Sequence, residues 1–171
     1  MIHIEELKNM KNKEFIIKAI MSGLLIGLCA DINNRIGGLC GAMLFSIGLL
    51  TICMCGLPLF TGRVGSSNNI EELLSMLFLN VFGVLIIKLL FSFNNMFTLG
   101  IGCGMLMQVA VTAYKKNIPI LTAMCIMAFI LAGYKHCIVY VYNSLDIINF
   151  VLIVLGNIVG AKICYYGGVK L

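Results

Sequence analysis

GLPLFTG, residues 56–62, interrupts a hydrophobic run that is long enough to cross a membrane. GYKHC, residues 133–137, interrupts a second such run in the other half of the chain. A helix broken at membrane depth is tolerated only where its freed backbone groups line a cavity or are buried in protein. Two breaks in matching runs of the two halves therefore predict a substrate path through an inverted repeat.

The composition predicts an integral membrane protein. Of the 171 residues, 61% are hydrophobic and 11% are charged, and the mean hydropathy is +1.05, whereas a soluble domain has about 25% charged residues. Nucleic-acid binding would be indicated by a basic stripe with interleaved aromatic residues, and the sequence has no such stripe. The sequence has no paired carboxylates at depth, metal-ligand cluster, nucleophile–base pair or phosphate loop. We therefore expect no enzyme activity, no cofactor and no metal ion. The eight cysteines are interpreted as small packing residues.

Six spans of about 20 residues each are predicted. They cover residues 15–30, 36–58, 73–91, 96–114, 118–142 and 147–166. Residues 31–35 are predicted to form a tight polar turn between the first two spans. Residues 1–14 are predicted to form a cytoplasmic amphipathic helix, which leaves residues 15–171 as a six-helix transmembrane channel domain.

Charge asymmetry predicts the orientation of these spans. Most of the lysines and arginines lie on the amino-terminal side of the membrane. The turns on the other side of the membrane hold only one cation, Arg35. The cations on the amino-terminal side are Lys8, Lys11, Lys13, Lys18, Arg63, Lys115, Lys116 and Lys170. The positive-inside rule then places both termini in the cytoplasm of a multi-pass plasma (inner) membrane protein. Because each half has three spans, the halves are inverted relative to each other.

Glycines spaced four residues apart predict close contacts between helices. Such small residues let two backbones approach each other within a membrane. The pairs are Gly23 with Gly27, Gly37 with Gly41, and Gly156 with Gly160. Three pairs in one chain predict a tight helical bundle.

Several motifs, in order along the chain, resemble those of the formate/nitrite transporter family. FSIGL at 45–49, followed by LFTG at 59–62, resembles the second helix and Ω-loop of that family. GYKHCI at 133–138 is similar to its G-F-E-H-S-[IV] break in helix five, and LGNIVG at 155–160 to its L-G-N-I-[VI]-G signature in helix six. GIGCG at 100–104, followed by VAV at 109–111, resembles its helix-four pattern.

This resemblance implies an aquaporin-like inverted 3+3 repeat with broken helices two and five, in a homopentamer with one pore per protomer. Family members pass small monovalent anions such as formate, nitrite, hydrosulfide or lactate. His136 corresponds to the central pore histidine, Thr61 to the Ω-loop hydroxyl that can bond it, and Asn157 to the asparagine of helix six. The residues that correspond to the two hydrophobic constrictions are Phe45 with Phe129, and Leu49 with Leu59 and Phe60.

The chain also departs from the family pattern. Pro58 replaces the acidic residue before LFT, and Lys135 replaces the glutamate beside the histidine. Gly104 replaces an asparagine in helix four, and Tyr140 replaces one after the histidine. Lys135 either faces the pore or points along a helix interface. Lys88 either extends to the headgroups or takes the place of the family's vestibule lysine as an anion attractor.

An ionisable side chain inside a span is costly and is a functional hypothesis by default. We hypothesise that a weak-acid anion enters, takes a proton in the central chamber and crosses as the neutral acid. His136 would relay that proton or hydrogen-bond the substrate. Two other classes stay open: a six-helix substrate-binding membrane subunit of a vitamin importer, and a non-conducting sensory or structural homologue.

Overall fold

The computed structural model describes the backbone of residues 2–170 and the side chains of residues 12–170, and this part of the chain is all-α. Five of its helices are long and apolar enough to cross a membrane, so the protein is a multi-pass helical membrane protein. The helices in chain order are α1 (Ile2–Ile36), α2 (Gly38–Cys55), α3 (Phe60–Arg63), α4 (Ile70–Ser92), α5 (Met96–Lys115), α6 (Pro119–Leu131), α7 (Cys137–Asn143) and α8 (Ile147–Tyr166).

Both predicted breaks are present. The second predicted span, residues 36–58, corresponds to α2, which is followed by a non-helical segment from Gly56 to Leu59 and by the four-residue helix α3. The fifth consists of the 13-residue helix α6, a non-helical segment, and the seven-residue helix α7. The remaining predicted spans correspond to α1, α4, α5 and α8, which are continuous.

The turn predicted at residues 31–35 is wrong. Helix α1 continues through this segment to Ile36, and Arg35 Nε donates to Asp31 Oδ2 one turn earlier at 2.5 Å. The chain reverses instead at Gly37 and Gly38, whose φ angles of 68° and 56° are left-handed. Only glycine adopts such angles without steric cost. The reversal therefore occurs where two glycines are consecutive, and the polar residues before them extend the helix.

The amino-terminal segment is the beginning of the same helix. The backbone of residues 2–14 is continuous with the rest of α1, so this segment is not a separate helical element. The side chains of residues 1–11 lie outside the described residues. The placement of this segment on the cytoplasmic surface stays a prediction.

Two helix pairs, α1 with α4 and α5 with α8, have the closest backbone contacts. A Cβ atom at Gly23 would overlap the carbonyl oxygen of Asn80, and one at Gly160 would overlap that of Ile101. These contacts confirm the predicted role of the glycine pairs in spans one and six. Gly37 differs, because nothing lies within 4 Å of the point that a Cβ atom would occupy there and the residue forms the turn before α2.

Helix α5 lies at the centre of the packed core. Every residue from Thr98 to Leu106 is buried, which explains why small residues recur in this helix. By contrast, α4 presents large apolar side chains to its surroundings, among them Phe78 and Leu89. An exposed apolar helix face of this kind is expected on a protein whose solvent is lipid.

Candidate functional site

The two helix breaks begin in the same way. Gly56 and Gly133 both adopt left-handed backbone angles, with φ of 62° and 75°. In each case the next backbone N–H turns back to a carbonyl of the preceding helix: Leu57 donates to Ile52 at 3.0 Å, and Tyr134 donates to Phe129 at 3.0 Å. This is the glycine-terminated helix end that satisfies otherwise free carbonyls.

An asparagine from α4 holds the first break. Asn80 Oδ1 accepts a hydrogen bond from the backbone N–H of Phe60 at 2.9 Å. Its Nδ2 donates to the carbonyl of Pro58 at 3.2 Å and to that of Ala19 in α1 at 2.8 Å. One buried side chain thus forms hydrogen bonds with the backbone on both sides of the break and links the break to α1. Sequence reasoning missed Asn80, although a polar residue in the middle of an apolar span was the available signal.

An asparagine from α8 holds the second break with the same three bonds. Asn157 Oδ1 accepts from the backbone N–H of Cys137 at 3.0 Å. Its Nδ2 donates to the carbonyl of Lys135 at 2.8 Å and to that of Gly100 in α5 at 2.9 Å. Asn157 was expected at the site from the resemblance, and the structure places it as the clamp of the break.

His136 lies at the second break, directly before α7. Its Nδ1 atom is buried and has no hydrogen-bond partner among the described residues. The Phe129 ring packs beside it, with ring centroids 6.0 Å apart. Both side chains line a cavity of about 280 Å³, together with Lys135, Tyr140 and Asn143. The structure therefore brings three of the predicted site residues, Phe129, Lys135 and His136, to one cavity.

The other predicted site residues lie apart from this cavity. Leu59 lines a separate apolar cavity of about 180 Å³ beside Asn80, and Phe60 follows it as the first residue of α3. Thr61 is exposed, and no hydrogen bond within residues 12–170 joins it to His136. Phe45 and Leu49, at 37% and 49% exposure, lie on the accessible face of α2. Their roles in a constriction stay predictions.

A polar cluster that sequence reasoning missed ties the second break to the end of α1. The Tyr134 hydroxyl donates to Asp31 Oδ2 at 2.7 Å, the same oxygen that accepts from Arg35. Arg35 also donates to Asn94 Oδ1 at 3.0 Å, and its guanidinium lies 5.4 Å from the Tyr134 ring centroid. These residues are far apart in the sequence, so no local pattern indicates their contact.

Replacing Tyr134 with phenylalanine should loosen the second break. The change removes one hydrogen bond to a carboxylate, which is worth ~1.5–3 kcal/mol, and should lower the melting temperature by about 3–12 °C. A thiol-reactive dye that reports exposure of the buried cysteines can follow unfolding. Tyr142→Phe is the control. Tyr142 is 92% exposed, so this substitution should leave the melting temperature unchanged. Equal melting temperatures for the two variants would contradict a role for the Tyr134 hydroxyl.

No protein-family model, no curated protein and no solved structure matches this chain.

Proposed function

We propose that this protein is a membrane channel or transporter for small monovalent anions, such as formate, nitrite or hydrosulfide, and that it resembles the formate/nitrite transporters. In this proposal six spans form an aquaporin-like inverted repeat, with α2–α3 and α6–α7 as the broken spans. Five protomers assemble in the plasma membrane with both termini in the cytoplasm. Each protomer has its own pore.

The two asparagine clamps support the inverted repeat. In each half, the third span supplies an asparagine that binds the backbone on both sides of the break in the second span and a carbonyl of the first. The same three bonds at two places are unexpected unless the halves share one fold. With three spans in each half, equivalent helices have opposite directions across the bilayer.

The unpartnered Nδ1 of His136 is the observation that carries the proposal. A buried polar atom without a hydrogen bond costs free energy and is uncommon in folded proteins. His136 lies at a helix break and lines a cavity that Lys135 also lines. A small substrate with a hydrogen-bonding group would supply the missing partner, and the nearby ammonium would favour an anion.

The chemistry of a weak acid fits this arrangement. A bare anion loses its hydration in an apolar narrowing at a large cost, and protonation removes most of that cost. Lys135 at the cavity attracts the anion, and His136 relays a proton to it or donates a hydrogen bond. The Phe129 ring beside the imidazole excludes water from the same place. The substrate then passes the narrowing as the neutral acid.

Flux measurements in proteoliposomes test this proposal. We expect His136→Asn, which keeps a hydrogen-bonding side chain but does not titrate, to reduce formate flux by about tenfold, corresponding to ~1.4 kcal/mol. The pH dependence of the flux should also flatten. Tyr142→Phe on the neighbouring helix α7 is the control and should conduct like the wild type. Unchanged flux and pH dependence in His136→Asn would refute the role of the histidine.

The mass of the purified particle separates the proposal from the importer alternative. A channel of this kind should behave as a complex of five chains with bound detergent. A single chain that retains a tightly bound organic ligand and does not conduct would instead identify a substrate-binding subunit.

A further inference from the structure

A second cavity, of about 330 Å³, lies between the carboxyl-terminal ends of α1 and α4 and takes no part in the proposed pore. Asp31 and Asn34 line it from α1, and Lys88 and Ser92 line it from α4. A volume of this size falls at the lower end of the range for small-ligand pockets, ~300–1,000 Å³. We call this cavity the α1–α4 groove.

The two charged side chains of the groove do not pair with each other. No ion pair or hydrogen bond of Lys88 occurs within residues 12–170, although it lies in a helix that could span the membrane. Asp31 uses Oδ2 for both Arg35 and Tyr134, and Oδ1 accepts no hydrogen bond from a described residue. The Asp31 side chain keeps 22% of its surface accessible, so this oxygen is available to a ligand.

An ammonium and a carboxylate oxygen that face one cavity without pairing with each other suit a ligand that carries both an anionic group and an N–H donor. An ionisable side chain in a span is usually paired or functional. Lys88 has no partner within residues 12–170, and Asp31, whose Oδ2 is paired with Arg35, keeps Oδ1 free for a donor. An ammonium on the ligand would donate to Asp31 Oδ1, and its anionic group would accept from Lys88. Leu85 and Leu89, on either side of Lys88 along α4, are exposed, so acyl chains have an apolar surface beside the groove.

The carboxyl-terminal ends of α5 and α8, the other closely packed helix pair, differ from the α1–α4 groove because a segment of the chain itself fills the space between them. Val169, directly after α8, is fully buried there. Its carbonyl accepts hydrogen bonds from Gln108 Nε2 at 3.0 Å and from Thr112 Oγ1 at 3.4 Å. The end of one helix pair thus holds a polar acceptor from the chain, whereas charged groups line the end of the other pair.

We propose that the α1–α4 groove binds a phosphoethanolamine group, with Asp31 receiving the primary ammonium and Lys88 the phosphate. The apolar surface of α4 favours phosphatidylethanolamine as its source. The site requires only that the helices lie in a bilayer, so it does not depend on the proposed transport.

Lipid retention measured by native mass spectrometry tests the site on the purified full chain. Detergent-solubilised protein is exchanged into equal amounts of phosphatidylethanolamine, phosphatidylcholine and phosphatidylglycerol. We expect phosphatidylethanolamine to be retained about tenfold better than the other two, which corresponds to ~1.4 kcal/mol. Phosphatidylcholine has no N–H to donate to Asp31, and phosphatidylglycerol has no ammonium. Equal retention of either of these lipids would overturn the proposal.

Variants of lysines assign the effect to the groove. Because the phosphate is common to all three lipids, Lys88→Gln should lower the retention of each of them, and Lys88→Arg should restore most of it. Lys162→Gln is the matched control. Lys162 is an exposed lysine of α8 whose ammonium lies 5.7 Å from the Tyr166 ring centroid, so its replacement should leave the retention of all three lipids intact. Unchanged lipid retention in Lys88→Gln would overturn the site.

Free phosphoethanolamine distinguishes the two sources of the headgroup. If it displaces the retained lipid at millimolar concentration, the groove recognises the headgroup alone. If only the lipid binds, the acyl chains on α4 contribute as well. Both results support recognition of the same chemistry, whereas displacement by phosphocholine with equal potency would contradict it.

Discussion

Replacing Gly104 with alanine should lower the melting temperature of this protein by about 10 °C. A Cβ atom at this position would overlap the carbonyl oxygen of Asn157 and lie 2.8 Å from its carbonyl carbon. These atoms belong to the α8 backbone, so no side-chain rotation can relieve the overlap. Overpacking of a core costs ~1–3 kcal/mol or more, and each kcal/mol shifts the melting temperature of a chain of this size by about 2–4 °C.

The same substitution should also disturb the second break. Moving α8 away from α5 displaces Asn157, whose amide reaches the carbonyls of Gly100 and Lys135 at 2.9 and 2.8 Å. Under the proposed function, a loss of anion flux is therefore expected even in the fraction that stays folded. The protein has no tryptophan, so unfolding is best followed with a dye that reacts with buried thiols such as Cys103 and Cys164.

Two further glycine variants control this prediction. Gly62→Ala should leave the melting temperature within about 2 °C of the wild type, because nothing lies within 4 Å of its Cβ position and surface substitutions usually change stability little. Gly23→Ala should be as damaging as Gly104→Ala, because its Cβ would overlap the carbonyl oxygen of Asn80. A Gly104→Ala protein as stable as Gly62→Ala would contradict the described packing of α5 on α8.

Residue patterns predicted the helix breaks because the signals are local. Glycine permits the left-handed end of a helix, and a proline at 58 or a lysine–histidine pair at 135–136 is unusual within an apolar run. The continuous end of α1 was missed for a related reason. A segment with several polar residues resembles a turn, but Asp31 and Arg35 are four residues apart and form a stabilising pair on one helix face.

The contacts that hold the breaks could not be predicted in the same way. Asn80 binds residues about twenty positions earlier and also a carbonyl of α1, and Tyr134 reaches Asp31 in another helix. Such partners depend on the directions in which whole helices pack. The resemblance pointed to Asn157 as a site residue, but only its three hydrogen bonds indicate what it does.

Replacing Asn157 with leucine should release the second break. The side chains are similar in size, so the main change is the loss of three hydrogen bonds, to Cys137, Lys135 and Gly100. Hydrogen bonds between membrane helices average ~0.6 kcal/mol and reach ~1.7 kcal/mol, so the total cost is ~2–5 kcal/mol. We expect a melting temperature lower by about 4–20 °C and, under the proposed function, a loss of most anion flux.

A local measurement separates release of the break from general destabilisation. The backbone N–H of Cys137 is bound by Asn157, and its thiol is half-buried. Well below the melting temperature, the Cys137 thiol of the Asn157→Leu variant should react with a membrane-permeant maleimide faster than the same thiol of the wild type. Mass spectrometry of the labelled peptide identifies the site, and the fully buried Cys164 should stay protected in the same sample.

Asn149→Leu is the matched control, because it makes the same change in the first turn of the same helix. Among the described side chains, that of Asn149 binds only Asp146, at 2.8 Å on the exposed surface, so the loss should be small. Asn80→Leu should release the first break without exposing Cys137, since the two clamps share no partner. If Asn157→Leu kept wild-type labelling and flux, α7 would be held in place by its apolar packing alone, and the clamp would have no role in shaping the cavity at His136.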